Sequence, residues 1–306
     1  METQKIQSKK GQINIVLNEQ SSPKKKEGHH LYYINNSPFT HIDQEFASFV
    51  GLETLKRIIK EIYAMMVINE KRKQLGMIRS KQVLHMLFKG NPGTGKTTVA
   101  RKLARIYFDM GLLSKGHFIE AERADLVGEY IGQTAQKTRS IIRKAMGGIL
   151  FVDEAYSLGR GGEKDFGKEA IDTLVKHMED HHNDFVLILA GYPYEMERFL
   201  TLNPGLKSRF PFILDFADYD VDQLMDIAKQ MAGEQEYQLT KKAEWKLRTH
   251  LYKQIEEVES NFSNARYVRN IVEYAMRMQA VRLLCKDHFT NDELTRITED
   301  DLQFES

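Results

Sequence analysis

Short apolar runs alternate with helical periodicity from residue 52 to residue 216. We interpret the short runs as buried strands. They are Val83–Phe88, His117–Glu120, Ile149–Val152, Val186–Ala190 and Phe212–Leu214. Between them apolar residues recur every three or four positions, as in Ile171, Leu174 and Met178, and a helix of the same kind from Leu52 to Met65 precedes the first strand. Because parallel strands need crossover connections, this alternation predicts an α/β fold, a parallel sheet with helices on both faces.

Beyond Phe216 the strand signals stop and only helical periodicity remains. The apolar positions that carry it are Leu224, Ile227, Ala228 and Met231, then Trp245, Leu247 and Leu251, and then Val268, Ile271, Val272 and Ala275. Thr298, with Asp301 three residues later, resembles a capping box and predicts a short final helix. We therefore predict an α/β domain at residues 39–216 and a small all-α domain at residues 217–306.

The composition is that of an ordinary globular protein. The 306 residues are 42% hydrophobic and 28% charged, and a formal net charge of +1 argues against a surface built wholly for nucleic acid. Residues 1–38 are polar and rich in lysine, which predicts a flexible extension without the apolar core of a signal peptide. Cys285 is the only cysteine, which fits the reducing cytosol, and no apolar run is long enough to cross a bilayer. We expect a cytoplasmic protein that has no membrane anchor.

A glycine-rich loop follows the first predicted strand and opens the next helix. It reads Gly90, Asn91, Pro92, Gly93, Thr94, Gly95, Lys96 and Thr97, with Thr98 next. In this phosphate-loop pattern glycines let amide N–H groups turn inward, and the helix N-terminus adds its positive dipole. We predict that Lys96 contacts the β- and γ-phosphates of ATP and that the Thr97 hydroxyl binds Mg²⁺. A chance glycine-rich turn is the alternative, and the flanking strand and helix argue against it.

Two carboxylates end the third predicted strand, which is where a Walker B motif belongs. Asp153 and Glu154 follow four apolar residues. We predict that Asp153 holds Mg²⁺ through water and that Glu154 orients and polarises the water that attacks the γ-phosphate. The alternative is that the two acids only cap the helix that follows.

Two arginines are candidates for contacts to the phosphates. Arg209 precedes the last predicted strand and is a candidate arginine finger that one subunit supplies to its neighbour, with Lys207 as the rival position. Arg266, or in second place Arg269, begins a helix of the small domain and could couple the nucleotide state to the angle of that domain. In each case the alternative is a surface salt bridge.

Tyr130 and Ile131 lie between glycines, in the segment that joins the second strand to its helix. An aromatic and an aliphatic residue in this setting suit a mobile loop with an apolar tip, so we predict that both face the centre of a ring and grip an extended polypeptide. A packed tyrosine in a turn is the alternative. Residues 159–167 are flexible by composition and could form a second loop at the same pore or only a connector.

Three phrases of the sequence resemble the red-type rubisco-activase family of AAA+ proteins, and in particular its bacterial branch that acts in sporulation. They are Gly128–Ala135, Gly147–Tyr156 and Leu189–Pro193. The resemblance extends from about residue 49 to residue 304. It implies an AAA+ phosphate-loop core with strand order 5-1-4-3-2, a helical lid, and a hexameric ring with ATP bound at the subunit interfaces.

The resemblance also implies roles for individual residues. By position, Gly51 and Leu52 correspond to the adenine-side segment, Tyr130 to the pore-loop aromatic, Arg209 to the finger and Arg266 to the sensor-2 arginine. One departure concerns the end of the fourth strand, where many AAA+ proteins place a polar sensor such as asparagine. Here the position holds Tyr192, whose hydroxyl has a longer reach.

These residues lead to one hypothesis and two rivals. The hypothesis is an ATPase, dependent on Mg²⁺, that forms a homo-hexamer and threads or remodels a protein partner through its pore. The first rival is a binding scaffold that ATP switches on and hydrolysis resets. The second is a DNA-dependent loader ATPase, against which the near-neutral charge and the lack of a DNA-reading motif both argue.

Overall fold

The structure is a computed structural model that describes residues 39–47, 49, 51–78, 82–130, 132–161, 165–202, 204–257, 262–286 and 288–304. The predicted extension at residues 1–38 and Ile131 of the predicted pore loop lie outside the described residues. Within these ranges, no helix has both the length and the apolar character needed to span a membrane.

A parallel sheet of five strands forms the centre of the larger part. Its strands are β1 (Met86–Gly90), β2 (Phe118–Ala121), β3 (Ile149–Val152), β4 (Val186–Gly191) and β5 (Phe212–Phe216). They lie in the order β2-β3-β4-β1-β5, which confirms the predicted order 5-1-4-3-2. β1 begins at Met86 rather than at the predicted Val83, because β5 begins opposite Met86 and the His85 ring, not its main chain, accepts the Leu187 N–H (3.0 Å).

Helices cover both faces of this sheet. They are α1 (Thr40–Glu45), α2 (Glu53–Gln74), α3 (Lys96–Asp109), α4 (Arg123–Leu126), α5 (Gln133–Ala145), a 3₁₀ helix (Ala155–Gly159), α6 (Gly167–Asp180), α7 (Pro193–Leu202) and α8 (Pro204–Arg209). Met86 and Phe88 of β1 belong to one apolar core with α2 and α3, whereas Leu87 belongs to the other with α5 and α6. Since successive strand residues point to opposite faces, β1 is buried on both sides.

The C-terminal part is helical and has a small addition that the sequence did not predict. Its helices are α9 (Val221–Glu234), α10 (Lys241–Glu257), α11 (Asn264–Leu284) and α12 (Asn291–Thr295). Beside them β6 (Gln238–Leu239) and β7 (Arg296–Ile297) pair in parallel, and two residues are too few to produce an apolar pattern. All of these elements except α12 contribute to an apolar core of their own. The division of the chain at residues 38 and 216 stays a prediction.

The position of Trp245 contradicts the periodicity assigned to its helix. Trp245 is 71% exposed, whereas Leu247 and Leu251 of α10 are fully buried. Residues two positions apart face different sides of a helix, so Trp245 cannot share the stripe of the two leucines.

The final helix predicted at Thr298 is a turn instead. The Asp301 carboxylate accepts the Thr298 N–H (2.7 Å) and hydroxyl (2.9 Å), as a capping residue does. The same carboxylate also binds the Arg282 guanidinium of α11 (2.7 Å) and is almost fully buried. It therefore anchors the chain to α11, and no helix follows the turn among the residues up to 304.

Candidate active site

The glycine-rich loop lies at the C-terminal end of β1, where the chain turns into α3. Gly93 and Gly95 have φ angles of 72° and 91°, a left-handed conformation that glycine adopts without the steric cost of a Cβ. The buried Thr94 closes the loop, because its hydroxyl donates to the Asn91 carbonyl oxygen (2.8 Å). The result is a tight turn at the N-terminus of a 14-residue helix. Main-chain N–H groups and the helix dipole favour an anion at such a place.

Lys96 is the first residue of α3, and its side chain folds back over the loop. The Nζ atom donates to the carbonyl oxygens of Gly90 (2.7 Å) and Asn91 (2.8 Å). Burial lowers the pKa of this ammonium group from its ordinary value, the negative charge of Asp153 opposes the shift, and the positive charge of Arg266 adds to it. The Asp153 carboxylate and the Arg266 guanidinium of the C-terminal part thus act on the same lysine.

Asp153 and Glu154 follow β3, which β4 separates from β1 in the sheet. The Asp153 carboxylate accepts the N–H of Glu154 (2.9 Å). Glu154 has φ 46° and ψ 43°, a left-handed conformation that costs a residue with a Cβ roughly 1–2 kcal/mol. Residues with a strained backbone are frequent at functional sites, where the surrounding fold holds them in place.

The predicted magnesium ligands are a hydroxyl and a carboxylate. Thr97 and Asp153 are both half-buried, whereas Thr98, the next residue of α3, is exposed. Oxygen donors of these two kinds suit Mg²⁺, a hard cation that keeps several of its waters. The donor set therefore fits the ion that the sequence predicts.

Two tyrosines stack beside the acidic pair. The ring centroids of Tyr156 and Tyr192 lie 5.6 Å apart with an interplanar angle of 29°. Burial raises the pKa of both hydroxyls, and the negative charge of Glu154 raises both further. Tyr192 thus lies next to the acids, at the position where the sequence left a sensor in doubt. Sequence reasoning missed Tyr156, because a single tyrosine after two acids carries no signal of its own.

Arg266 lies in the first turn of α11, close to the loop. It is exposed, and its positive charge acts on both Lys96 and Tyr192. Arg269, the rival candidate, is also exposed and lies one turn further along the helix. Of the two candidates, Arg266 is the one whose charge acts on site residues.

Gly51 and Leu52, the predicted adenine-side segment, precede α2. Gly51 has a φ of 74°, and a Cβ there would lie 3.0 Å from Nε2 of Gln223 in α9. Leu52 is buried in the core that α2 and α3 share. The segment therefore lies where the sheet domain meets the first helix of the C-terminal part.

Arg209 lies away from these residues, at the end of α8. Its guanidinium forms an ion pair with Glu179 of α6 and donates to the Gly205 carbonyl oxygen (2.6 Å), and its buried Nε atom has no partner among the described residues. Lys207, the rival, is exposed. The structure brings together the loop, the two acids, Tyr192 and Arg266, but not Arg209.

The segment of Tyr130 has a fixed base and an exposed tip. The Tyr130 side chain is 67% exposed. Below it, the Gly128 N–H donates to the buried Thr134 hydroxyl (3.0 Å), and a Cβ on Gly128 would lie 2.6 Å from the Gln133 Cβ. Glycine is therefore required at 128, and the loop presents an aromatic side chain to solvent from a rigid base.

The predicted second loop is also anchored at its base. The Asp165 carboxylate accepts the N–H groups of Gly161 (2.9 Å) and Gly167 (3.1 Å) and pairs with Arg123 of α4. These bonds hold the pKa of Asp165 below its ordinary value. Residues 162–164 lie outside the described residues.

The chain matches two families and several well-described proteins. Residues 86–217 match the ATPase family associated with various cellular activities (AAA), and residues 220–306 match the AAA lid domain. Stage V sporulation protein K of Bacillus subtilis (strain 168) is 56% identical over 302 residues, which are 95% of this chain and 94% of that protein. The chloroplastic ribulose bisphosphate carboxylase/oxygenase activase of Cyanidioschyzon merolae is 46% identical over 243 residues, 79% of this chain and 82% of that protein.

Two further likenesses concern a bacterial protein and a solved structure. Protein CbbX of Cereibacter sphaeroides is 44% identical over 235 residues, 76% of this chain and 75% of that protein. The Thermotoga maritima RuvB Holliday junction branch migration motor superposes with a TM-score of 0.51 at 21% identity, over 83% of this chain and 68% of that one. At this low sequence identity, the structural similarity shows a common fold and nothing about function.

Proposed function

The chain belongs to the AAA ATPases, in the group that contains stage V sporulation protein K and the CbbX and CfxQ proteins, and on this premise we propose that it forms a ring that remodels a protein partner. Hydrolysis of ATP is the activity of the family.

The loop at residues 90–97 binds the phosphates of ATP. Its two left-handed glycines and the first turn of α3 direct N–H groups toward an anion, and Lys96 adds a positive charge. Thr97 and Asp153 hold Mg²⁺, which supplies charge neutralisation on the phosphates. Gly51 and Leu52 face the adenine side, and Arg266 reaches the phosphates from the lid.

Glu154 prepares the water that attacks the γ-phosphate. Its carboxylate accepts a hydrogen bond from that water and orients it, while Asp153 remains with the metal. The strained backbone of Glu154 supports this division of labour, because it distinguishes Glu154 from a residue that only ends a strand.

The position of Arg209 is the observation that supports assembly into a ring. β1 and β5 pair in register, with Met86 opposite Phe212 and Gly90 opposite Phe216. Arg209 precedes Phe212, at the opposite end of the strands from the phosphate loop, and the four steps from Phe212 to Phe216 alone span roughly 13 Å at the rise of a strand. This distance exceeds the reach of an arginine side chain. A finger at Arg209 therefore serves the site of an adjoining subunit, which a homo-hexameric ring provides.

The exposed Tyr130 is the contact to the partner. An aromatic tip on a rigid base suits a grip on an extended polypeptide without sequence preference. The Cyanidioschyzon merolae relative is named for activating ribulose bisphosphate carboxylase/oxygenase, which is itself a protein. We assign this chain a protein substrate in the cytoplasm of a sporulating cell, following the bacterial relative named for stage V of sporulation.

Replacement of Glu154 by glutamine tests the catalytic assignment. Glu154→Gln removes the base without changing the shape of the side chain, so ATP turnover should fall at least about 100-fold while ATP still binds. Turnover at the rate of the unchanged protein would remove Glu154 from the mechanism. The ATP-bound variant is also the bait with which to capture the protein partner.

Substitution of two tyrosines of similar exposure tests whether Tyr130 grips the partner in the pore. Tyr130 and Tyr194 are 67% and 70% exposed, so Tyr194→Ala is the matched control for Tyr130→Ala. Unfolded polypeptide should stimulate turnover of the unchanged protein and of Tyr194→Ala, but not of Tyr130→Ala. Equal stimulation of the two variants would rule out the grip, and stimulation by DNA alone would favour the loader.

A further inference from the structure

The first turn of α11 lies directly on the phosphate loop. The Ala265 N–H donates to the Gly93 carbonyl oxygen (3.2 Å). A Cβ on Gly93 would lie 2.1 Å from the Ser263 carbonyl oxygen and 2.9 Å from the Arg266 nitrogen. The lid backbone therefore approaches the loop as closely as glycine permits.

Asn264 lies at the centre of this contact between the lid and the phosphate loop. It is fully buried and has a φ of 48°, one of three residues other than glycine with a positive φ in the described chain. Asparagine tolerates this conformation better than most residues, because its side chain can hydrogen-bond nearby main-chain groups. A buried amide at a left-handed position needs partners for both its oxygen and its nitrogen.

The Asn264 amide finds those partners on three separate segments. Its Oδ1 atom accepts the Tyr219 N–H (2.9 Å) from the chain that leads into α9. Its Nδ2 atom lies 2.7 Å from the Asp218 carboxylate, 2.9 Å from the Phe262 carbonyl oxygen and 3.3 Å from the Pro92 carbonyl oxygen. The linker between β5 and α9 (Asp218 and Tyr219), the lid and the phosphate loop thus meet at one side chain.

Two further bonds close the same joint. The Asp218 carboxylate also accepts the Asn91 Nδ2 group of the phosphate loop (2.8 and 3.1 Å). The Tyr219 hydroxyl donates to the Thr94 carbonyl oxygen (3.1 Å). Each linker residue therefore bonds both to Asn264 and to the loop.

We propose that Asn264 is a positioning residue that locks the lid to the phosphate loop and so places Arg266, two residues further on, over the bound nucleotide. The inference rests on the proposed role of the loop in binding ATP. Only an amide serves here, because it accepts from Tyr219 with one atom and donates to Asp218 with the other. A carboxylate at 264 would face the carboxylate of Asp218, and like charges in contact repel.

An exchange of the amide and the carboxylate tests this joint. Asn264→Asp should weaken the binding of a fluorescent ATP analogue at least about tenfold, through the lost donor and the new repulsion. The double variant Asn264→Asp/Asp218→Asn restores one donor and one acceptor between the two positions, so it should bind more tightly than Asn264→Asp alone. Asn270→Asp, at an exposed position of α11, adds the same charge away from the joint and should bind as the unchanged protein does.

Affinity is measured well below the melting temperature, on variants whose circular dichroism matches that of the unchanged protein. If Asn264 had a merely structural role, its substitution would lower the stability of the protein but leave the affinity for the nucleotide unchanged under these conditions. Asn264→Gly keeps the left-handed backbone and removes the amide, so it should also weaken binding. If Asn264→Asp alone does not fold, Asn264→Gly and the folded double variant provide the same comparison.

Unchanged affinity in Asn264→Asp or in Asn264→Gly, or a double variant that binds no more tightly than Asn264→Asp, would overturn the inference. Because binding is measured without turnover, these outcomes are independent of the assignments of Glu154 and Arg209. Normal turnover in Glu154→Gln would refute the assignment of Glu154, and normal turnover in Arg209→Ala would refute that of Arg209, but neither result would affect the joint.

Discussion

Substitution of Gly93 by alanine tests the close approach of the lid to the phosphate loop. Two costs follow from the structure. The φ of 72° is left-handed, which costs alanine roughly 1–2 kcal/mol relative to glycine. The added Cβ would also lie 2.1 Å from the Ser263 carbonyl oxygen. Both atoms are fixed to the backbone, so no rotamer relieves the overlap and the lid must move away by about 1 Å.

That displacement breaks the bonds between the lid and the loop. The bond from Ala265 to Gly93 (3.2 Å) and the bond from Asn264 to Pro92 (3.3 Å) are already long. Each hydrogen bond contributes about 0.5–1.5 kcal/mol, so the loss of both lowers the free energy needed to separate the first turn of α11 from the loop by about 1–3 kcal/mol. Hydrogen exchange at the Ala265 amide should therefore become roughly 5 to 150 times faster.

Gly76 supplies the matched control. It has a φ of 73°, and no atom lies within 4 Å of a Cβ built there. Gly76→Ala therefore has the backbone cost without the overlap. Exchange is followed by mass spectrometry of peptides that cover the first turns of α11. Exchange at Ala265 that is equally slow in Gly93→Ala and in Gly76→Ala would refute the reasoning.

Two further predictions concern stability. Burial lowers the pKa of His85 from 6.5 to about 4. The unfolded chain therefore takes up the proton near pH 6.5, and the folded protein does so only near pH 4. The unfolding free energy is consequently highest above pH 6.5 and falls as the pH drops toward 4. Between pH 7.5 and pH 5 the protein should lose about 2 kcal/mol of unfolding free energy that His85→Gln does not lose, and equal losses in urea titrations would contradict this assignment. Asp301→Ala should lower the unfolding free energy by about 3 kcal/mol, because it leaves the partly buried Arg282 guanidinium without its carboxylate. Asp300→Ala, at the exposed neighbouring position, should change it by less than about 0.5 kcal/mol, and a similar loss in both variants would contradict the role of the ion pair.

The sheet and the glycine-rich loop could be predicted because their signals are local. Strands buried on both faces are unbroken apolar runs, as in Ile149–Val152, whose four residues are all buried. The loop is one contiguous motif between a strand and a helix. The order of the strands came from resemblance to a family, and the structure and the comparisons confirm both the order and the family.

The joint at Asn264 could not be predicted, because its partners are far apart in the chain. Asn91 and Pro92 lie more than 120 positions from Asp218, and a further 46 positions separate Asp218 from Asn264. No periodicity marks such residues, and asparagine before a helix predicts only a cap. Tyr156 escaped notice for the same reason, since only the fold stacks it on Tyr192.

The errors in the C-terminal part have physical causes as well. Apolar residues close together suggested that Trp245 shares the stripe of Leu247, although the helical period places it on another side. The Asp301 carboxylate accepts the Thr298 N–H as in a capping box. The Thr298 hydroxyl, however, donates to the same carboxylate, and the Asp301 N–H bonds the Thr298 carbonyl oxygen instead of the hydroxyl, so the box is incomplete and the chain forms only a turn. The spacing of a threonine and an aspartate therefore does not by itself determine whether a helix follows.

Mixing two inactive variants tests most directly whether the hydrolytic site is shared between subunits. Arg209→Ala lacks the proposed finger and Glu154→Gln lacks the proposed base, so we expect each alone to form rings that turn over ATP at a small fraction of the normal rate. In rings assembled from equal amounts of both, about one interface in four combines an intact Glu154 with an intact Arg209, and turnover should recover to about one quarter of normal. Arg209→Ala rings that hydrolyse ATP at the normal rate, or mixed rings no more active than the separate variants, would contradict the account.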